Sequence, residues 1–281
     1  MPQPPKPGLL SLCATPIGNL EDITLRVLRI LREADAVWAE DTRHTLGLLN
    51  HFNIRKPLYS CHEHNERERA QTLLAALSQG QRIAYCSDAG MPGISDPGAA
   101  LLQACAAAGY PCEVLPGASA APMAAVLSGL DCSCFTFFGF LPREKKPRKA
   151  KLAQLAACPH LMLVYESPLR LPGTLRELSI LLGEDRPAAV LRELTKMHEE
   201  VVRGPLSALC SRFCDPPKGE CVIAIAGAPL QQPLAASPED LEALLRTLLG
   251  QGLSLKDAAA QAAQTLGVPK KAAYQKGLEL K

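Results

Sequence analysis

The chain has 281 residues, 47% of them apolar, a formal net charge of +2 and a mean hydropathy of +0.04. That is enough chain for two domains with real cores, the charge balance singles out no class of partner, and no run of about eighteen apolar residues could cross a membrane. Eleven cysteines, odd in number and without a CxxC, read as reduced and mostly buried thiols of a cytoplasmic protein, not as a disulfide framework.

The opening "MPQPPKPG" (1–8) is Pro-rich and lacks the apolar core of a signal peptide, so it reads as a flexible leader. "LLSLCA" (9–14) reads as a strand. Residues 22–33 read as a helix, with Ile23, Val27, Leu28, Ile30 and Leu31 on one side and Arg26, Arg29 and Arg32 on another. Then come the strand "DAVWA" (35–39), the strand-like "PLYSCHEH" (57–64), a helix over 66–78 closed by Gly80, and the strand "RIAYC". A helix over 98–108, the strand "CEVLP" and a small-residue helix over 119–128 follow. This alternation argues for parallel α/β sheets. In the second half the strands "CFTFFGF", "HLMLVYE", "AAVLREL", "EEVVRG" and "ECVIAIAG" lack intervening helices in places, which argues for a mixed sheet.

The expected organisation is an N-terminal α/β domain (9–118), a C-terminal α/β domain (119–229) and a helical tail (237–281). In the tail, Ser237 before Pro238 is a helix cap, Ser254 with Asp257 resembles a capping box, and Leu266-Gly267-Val268 is a tight turn at helix-turn-helix spacing. Such a module either packs or touches nucleic acid.

Three loops rich in Gly and small residues each follow an expected strand: "ATPIGNLED" (14–22), "SDAGMPGISDPG" (87–98) and "PGASAA" (116–121). Small residues at strand ends let a ligand approach the backbone, and ligands of α/β sheets sit beyond the carboxyl ends of strands. With "YESP" after another strand, they point to one shared cleft. Neither GxxxxGK[ST] nor GxGxxG occurs, so a P-loop and the dinucleotide fingerprint are absent. Asp88 suits a cationic ligand better than a polyphosphate. Asp96 before Pro97 reads as the cap of the next helix, with a catalytic role as the alternative.

"CHEHNE" (61–66) places His62 and His64 on one strand face, but no further ligands are spaced for a metal, and a polar cleft role is the better reading. "PREKKPRKAK" (142–151) holds six basic residues against one acid, a net of +5. It is either a solvated face or a phosphate-binding stretch, and its place after a strand end favours the second.

In order, "ATPIGNLEDITLR", "AEDTRHT", "HEHNE", "SDAGMPGISDPG", "PGASAA", "GFLPR", "YESP" and "ELTK" occur between residues 9 and 226. On these motifs the chain resembles the ribosomal RNA small subunit 2′-O-methyltransferase I family, a branch of the tetrapyrrole-methylase superfamily. The resemblance implies two α/β domains with S-adenosylmethionine in the cleft between them, usually in a homodimer. It implies 2′-O-methylation of a cytidine ribose in the decoding region of 16S (small-subunit) rRNA. It also implies that Asp88 is the cofactor-side acid, with a turn-capping carboxylate as the alternative. Met91, Ser119 and Ala120 would meet the cofactor largely through backbone, with Pro16 and Tyr165 at its edges. Ala224 and Ile225 would face the adenine, a plain core strand being the alternative. The chain departs from the family where Met91 replaces Thr, Ala118 replaces Pro and Leu169 replaces the His of "YESPHR".

A sulfonium methyl donor needs no metal, so the difficulty lies in aligning and deprotonating a ribose hydroxyl. Glu166 is the first candidate to assist and Lys196 the second, the lysine as a base only if its pKa is lowered. Arg43, His62, Arg143, Lys145, Lys146, Arg148 and Lys149 are the candidate RNA contacts. A tetrapyrrole methyltransferase on the same scaffold, and a non-catalytic nucleic-acid-binding protein, are the competing readings.

Overall fold

The apolar runs assemble into two sheets. The computed structural model describes residues 8–62, 64–228 and 238–280; the leader, Ser237 and most of the Pro/Ala-rich linker lie outside the described residues. The chain divides into two compact units, Met1–Gly227 and Ala228–Lys281. No described helix is long and apolar enough to cross a membrane.

The first sheet holds β1 (Leu9–Cys13), β2 (Ala36–Ala39), β3 (Leu58–Ser60), β4 (Arg82–Cys86) and β5 (Cys112–Leu115) in the order β3-β2-β4-β1-β5, all parallel. Central strands of a parallel sheet are buried on both faces, which is why β1 and β4 are nearly continuous apolar runs. Leu10, Leu12 and Tyr85 join a core with Leu73 and Leu77 of α3 (Glu66–Ser78) and Leu101 of α4 (Ala99–Ala107). Cys13, Ala84 and Cys86 join the opposite core with Val27, Leu28 and Leu31 of α1 (Leu25–Glu33). The register Cys13↔Cys86 sets the ends of β1 and β4 side by side, and with them the loops 14–22 and 87–98.

The second sheet holds β6 (Phe135–Phe140), β7 (Leu161–Glu166), β8 (Pro187–Arg192), β9 (Glu200–Pro205) and β10 (Cys221–Ile225) in the order β6-β7-β10-β8-β9. Only β6 and β7 pair in parallel, joined through α6 (Lys145–Ala156); the other pairs are antiparallel, giving a mixed sheet. α5 (Ala120–Leu127) covers one face, with Val222 and Ala224 in that core. α6, α7 (Leu171–Leu182) and α8 (Leu206–Arg212) cover the other, with Ile223 and Ile225. The register Cys221↔Glu166 brings the start of β10 opposite the end of β7.

Four helices carry weak local signals and were not expected. α2 (Thr42–His51) is rich in Thr, His, Gly and Asn, and is held by its cap Asp41 and by buried Thr45, Leu48 and Leu49. α6 is the basic stretch itself, with Pro147 tolerated in its first turn. α7 and α8 lie between runs that read only as strands.

The expected Asp96 cap does not form. α4 starts two residues later, at Ala99, with Gly98 as its N-cap at φ +125°, and the capping carboxylate is Glu66 from α3. Glu66 Oε1 accepts from the backbone N–H groups of Gly98 at 2.7 Å, Ala100 at 3.1 Å and Leu101 at 3.3 Å.

In the second unit, α9 (Pro238–Gly250), α10 (Leu255–Leu266) and α11 (Lys270–Glu279) close around Leu241, Leu245, Leu248, Ala258, Ala262 and Ala273. The Ser254 cap accepts from Asp257 N at 3.2 Å, and Gly267 ends α10 in the left-handed conformation.

Candidate functional site

Two loops of the first sheet lock together at the site. Thr15 and Gly90 exchange both backbone hydrogen bonds, at 2.9 and 3.0 Å, and Thr15 Oγ1 donates to Ser87 O at 3.2 Å. Gly90 holds φ +78°, and a Cβ there would sit 3.2 Å from Ile17 Cγ2. The first loop also presses on the second half of this unit: a Cβ on Gly18 would lie 2.4 Å from Lys196 Cγ and 2.8 Å from Thr195 Oγ1. The turn it meets is strained, with Glu193 and Thr195 both at positive φ without being glycine.

Between the two sheets lies a cavity of about 300 Å³. Ile17, Met91, Ile94, Ser95 and Asp96 line it from the first sheet's loops. Ser119 and Ala120 at the start of α5, Phe140, and Tyr165 to Pro168 line it from the second, with Glu220 to Val222. Phe137 and Phe140 meet the Tyr165 ring edge to face at 4.7 and 5.6 Å, making an aromatic wall. No lysine or arginine is among the lining residues, whereas three carboxylates are. An apolar, aromatic and acidic cleft suits a ligand with flat apolar parts and a cationic centre.

The three carboxylates are not equivalent. Glu166 is 2% exposed: its Oε1 accepts from Ser167 N at 2.9 Å and pairs with Arg170 Nε at 3.2 Å, and its Oε2 accepts from Thr174 Oγ1 at 2.6 Å. Both oxygens are engaged, so Glu166 holds the Ser167-Pro168 turn more readily than it takes a proton. Glu220, with a side chain 77% exposed, pairs with Lys196 Nζ at 3.0 Å. Asp96 is half-buried and raised to about 6, first by burial and then by the charges of Glu40, Asp88 and Glu220.

Lys196 bridges Glu193 at 2.8 Å and Glu220 at 3.0 Å. Partial burial pulls its pKa down, but the hydrogen bonds to the two glutamates outweigh that and leave it above the ordinary lysine value. This is the opposite of what a lysine base requires.

Met91, Ser119, Ala120, Tyr165 and Glu166 thus come together in one cavity, as the motifs led us to expect. Pro16 and Asp88 do not line it. They line a neighbouring hollow with Arg43, His44 and Thr45, and Asp88 Oδ1 accepts from Asp41 N at 3.0 Å. Ala224 and Ile225 are fully buried on opposite faces of β10, so their side chains cannot share one ligand; Val222 is the side chain of that strand that reaches the cleft.

Arg43 is chelated by Asp41, Nη2 to Oδ2 at 2.6 Å, with its side chain 89% exposed; the arginine in turn holds the Asp41 carboxyl well below the usual range. His62 lies after β3, away from the cavity lining; its backbone N donates to Asn65 Oδ1 at 2.8 Å and its Nδ1 is buried without a partner. Arg143, Lys145, Lys146 and Lys149 are exposed at the start of α6. Arg148 is not free: it pairs with Glu177 at 2.6 Å and donates to Thr174 Oγ1 at 3.0 Å, which makes it part of the support under Glu166.

Sequence reasoning missed Ile94, Ser95, Phe140 and Glu220, and preferred a capping role for Asp96, which lines the cavity. The signal for Asp96 was its place in the same Gly-rich loop as Met91; Pro97 drew it toward a capping role.

Residues 10–210 match the tetrapyrrole (corrin/porphyrin) methylases, and residues 235–281 match the RsmI C-terminal HTH domain. The ribosomal RNA small subunit methyltransferase I of Synechocystis sp. is 45% identical over 274 residues, 97% of this chain and 98% of the relative. The protein of the same name from Escherichia coli O157:H7 is 44% identical over 278 residues, 97% of this chain and 95% of the relative. Among solved structures, the methyltransferase CobJ superimposes with a TM-score of 0.62 at 21% identity, covering 79% of this chain and 95% of its own. The uroporphyrin-III C-methyltransferase of Thermus thermophilus complexed with S-adenyl homocysteine does so with 0.55 at 20% identity, covering 77% and 97%. Both share this fold.

Proposed function

Because the chain belongs to the ribosomal RNA small subunit methyltransferase I family within the tetrapyrrole methylases, and is an S-adenosylmethionine-dependent rRNA methyltransferase, we propose that its target atom is the 2′-oxygen of a cytidine ribose in the decoding region of small-subunit rRNA. The observation that carries this reading is the cationless, acidic and aromatic cavity between the two sheets, on a chain similar to its relatives over nearly their whole length.

The lining fits the cofactor. Its acidic wall complements a sulfonium and an ammonium, and a volume of about 300 Å³ lies at the lower end of the range for such ligands. When bound, S-adenosylmethionine supplies a methyl carbon made electrophilic by positive sulfur. Met91, Ser119, Ala120 and Tyr165 are the residues that would hold it, with Val222 beneath. Glu166 shapes the Ser167-Pro168 turn, and Lys196 fixes Glu220. The cleft thereby orients the reacting atoms and excludes water.

Arg143, Lys145, Lys146 and Lys149 offer an exposed basic face for phosphates. Pro16, Asp88 and Arg43, around the neighbouring hollow, extend the substrate side. A homodimer and a cytoplasmic setting complete the reading. Exposed Ile180 and Leu181, adjacent on α7, support the first, and eleven free thiols support the second.

The test is transfer of labelled methyl groups to purified small subunits and to naked rRNA, followed by mapping of alkali-resistant linkages. One 2′-O-methylated cytidine is expected. Label on a base, or on a tetrapyrrole supplied in parallel, overturns the reading.

A further inference from the structure

We propose that the Phe140 ring is the platform on which the base of the target nucleotide stacks, a role that rests on the 2′-O-methylation reading above. A ribose 2′-oxygen does not enter the cleft alone. Its base hangs from C1′, the carbon next to C2′, so the base has to lie at the mouth of the same cavity. Two aromatic rings line that cavity. Tyr165 is half-buried against Phe137 and Phe140, whereas Phe140 is 56% exposed. Phe140 is the ring that keeps a surface free for a ligand arriving from solvent.

The strand is bent to put it there. Side chains of a regular strand alternate, so Phe138 and Phe140 would share one face and Phe137 would take the other. β6 breaks this rule with a bulge. Phe137 pairs with Leu163 and Gly139 with Val164, which leaves Phe138 as an extra residue. Phe138 packs into the core under α6 to α8, with Lys151 Nζ 5.3 Å from its ring centre. Phe137 and Phe140, three residues apart, both meet Tyr165 on the opposite face. Gly139 takes the bend at φ +64°, and a Cβ there would touch nothing within 4 Å. The glycine therefore serves the backbone angle and not a close approach. Bulges beside sites re-aim side chains, and this one turns an apolar ring from the core to the cleft mouth.

The chain beyond the ring is first fixed and then basic. Leu141 is buried, its carbonyl accepts from Arg170 Nη2 at 2.7 Å, and Pro142 O accepts from Arg148 Nη1 at 3.3 Å. The exposed cations Arg143, Lys145, Lys146 and Lys149 follow. An aromatic platform beside a run of cations suits an unpaired nucleotide, whose phosphates are neutralised while its base lies on a π-face. A nucleotide drawn out of a helix loses its stacked neighbours, and Phe140 offsets part of that loss. Every base has a π-face, so the platform supplies affinity and orientation and leaves the choice of base to other groups.

The experiment compares Phe140→Leu and Phe140→Trp with the wild type in single-turnover methyl transfer to small subunits below saturation, with calorimetry of S-adenosylmethionine binding to each. Phe140→Leu keeps the apolar bulk and removes the π-face. It is expected to lower the apparent second-order rate about 5- to 150-fold, with cofactor affinity and the salt slope of RNA binding unchanged. Phe140→Trp, which restores a larger π-face, should return the rate to within about threefold of the wild type. A Phe140→Leu rate within about twofold of the wild type overturns the proposal. So does a loss matched by weaker cofactor binding, which would place the ring in the cofactor site, or a loss that Phe140→Trp fails to restore, which would make its role one of packing. A wild-type enzyme that does not methylate a 2′-oxygen fails the parent reading before any variant is made.

Discussion

Glu66 Oε1 accepts a hydrogen bond from the backbone N–H of Gly98 at 2.7 Å, so the first turn of one helix caps the start of another. The same oxygen serves Ala100 and Leu101, and a charged acceptor suits the positive end of α4. Glu66→Ala leaves these donors unpaired, one of them on a buried glycine. The expected loss is ~2 kcal/mol or more in urea unfolding. Because the cap also fixes the end of the 87–98 loop, cofactor affinity should fall in calorimetry. Glu66→Gln, which keeps one oxygen, should lose less on both counts.

Thr174 Oγ1 donates to Glu166 Oε2 at 2.6 Å and accepts from Arg148 Nη2 at 3.0 Å. Thr174→Val removes both bonds and strands a buried carboxylate oxygen, at a cost of about 1–3 kcal/mol. Weaker cofactor binding should accompany the loss of stability, since the Ser167-Pro168 turn rests on Glu166. Arg148→Ala should destabilise in the same way and leave the salt dependence of RNA binding unchanged.

Arg143, Lys145, Lys146 and Lys149 are the exposed cations at the start of α6. Neutralising all four should weaken RNA binding and lower the slope of log K against log salt by about 0.7–0.9 for each phosphate that is no longer neutralised. A salt titration of binding to small-subunit rRNA checks this, and an unchanged slope would return α6 to a solvated face.

Asp96 also predicts a pH dependence of stability. Its folded pKa, about 6, lies above the ordinary 3.8, so the fold opposes its ionisation. Stability from this group is complete below about 3.8, is lost as pH rises through about 6, and is constant above. Asp96→Asn should therefore unfold at a higher temperature than the wild type at pH 7.5, with the two converging at acid pH. Each kcal/mol gained would read as about 2–4 °C in Tm. A variant no more stable than the wild type at pH 7.5 would show that solvent in the cleft screens the charge.

The two sheets were legible because their strands are apolar runs with punctuation, and the three cleft loops because Gly and Pro at strand ends have few structural uses. α2 and α6 were not, since Thr, His and Gly in one and five charges around a proline in the other suppress the helical period. Met91, Ser119, Ala120, Tyr165 and Glu166 were placed by motif and do meet in one cavity. What one chain of letters could not show is which carboxylate is occupied. Glu166 owes its partners to Thr174 and Arg170, Lys196 owes its raised pKa to Glu193 and Glu220, and Asp96 was displaced from its capping role by a glutamate thirty residues upstream. These are tertiary facts.

β10 is paired on both sides, antiparallel to β7 and to β8, over all five of its residues. Val222 and Ala224 serve the core under α5, and Ile223 and Ile225 serve the core under α6 to α8. A single codon gained or lost inside this strand would exchange the two sets, pushing isoleucines into the cleft wall and opening holes in the opposite core. Length changes during evolution are therefore expected to collect in the loops around β10 and to spare the strand itself.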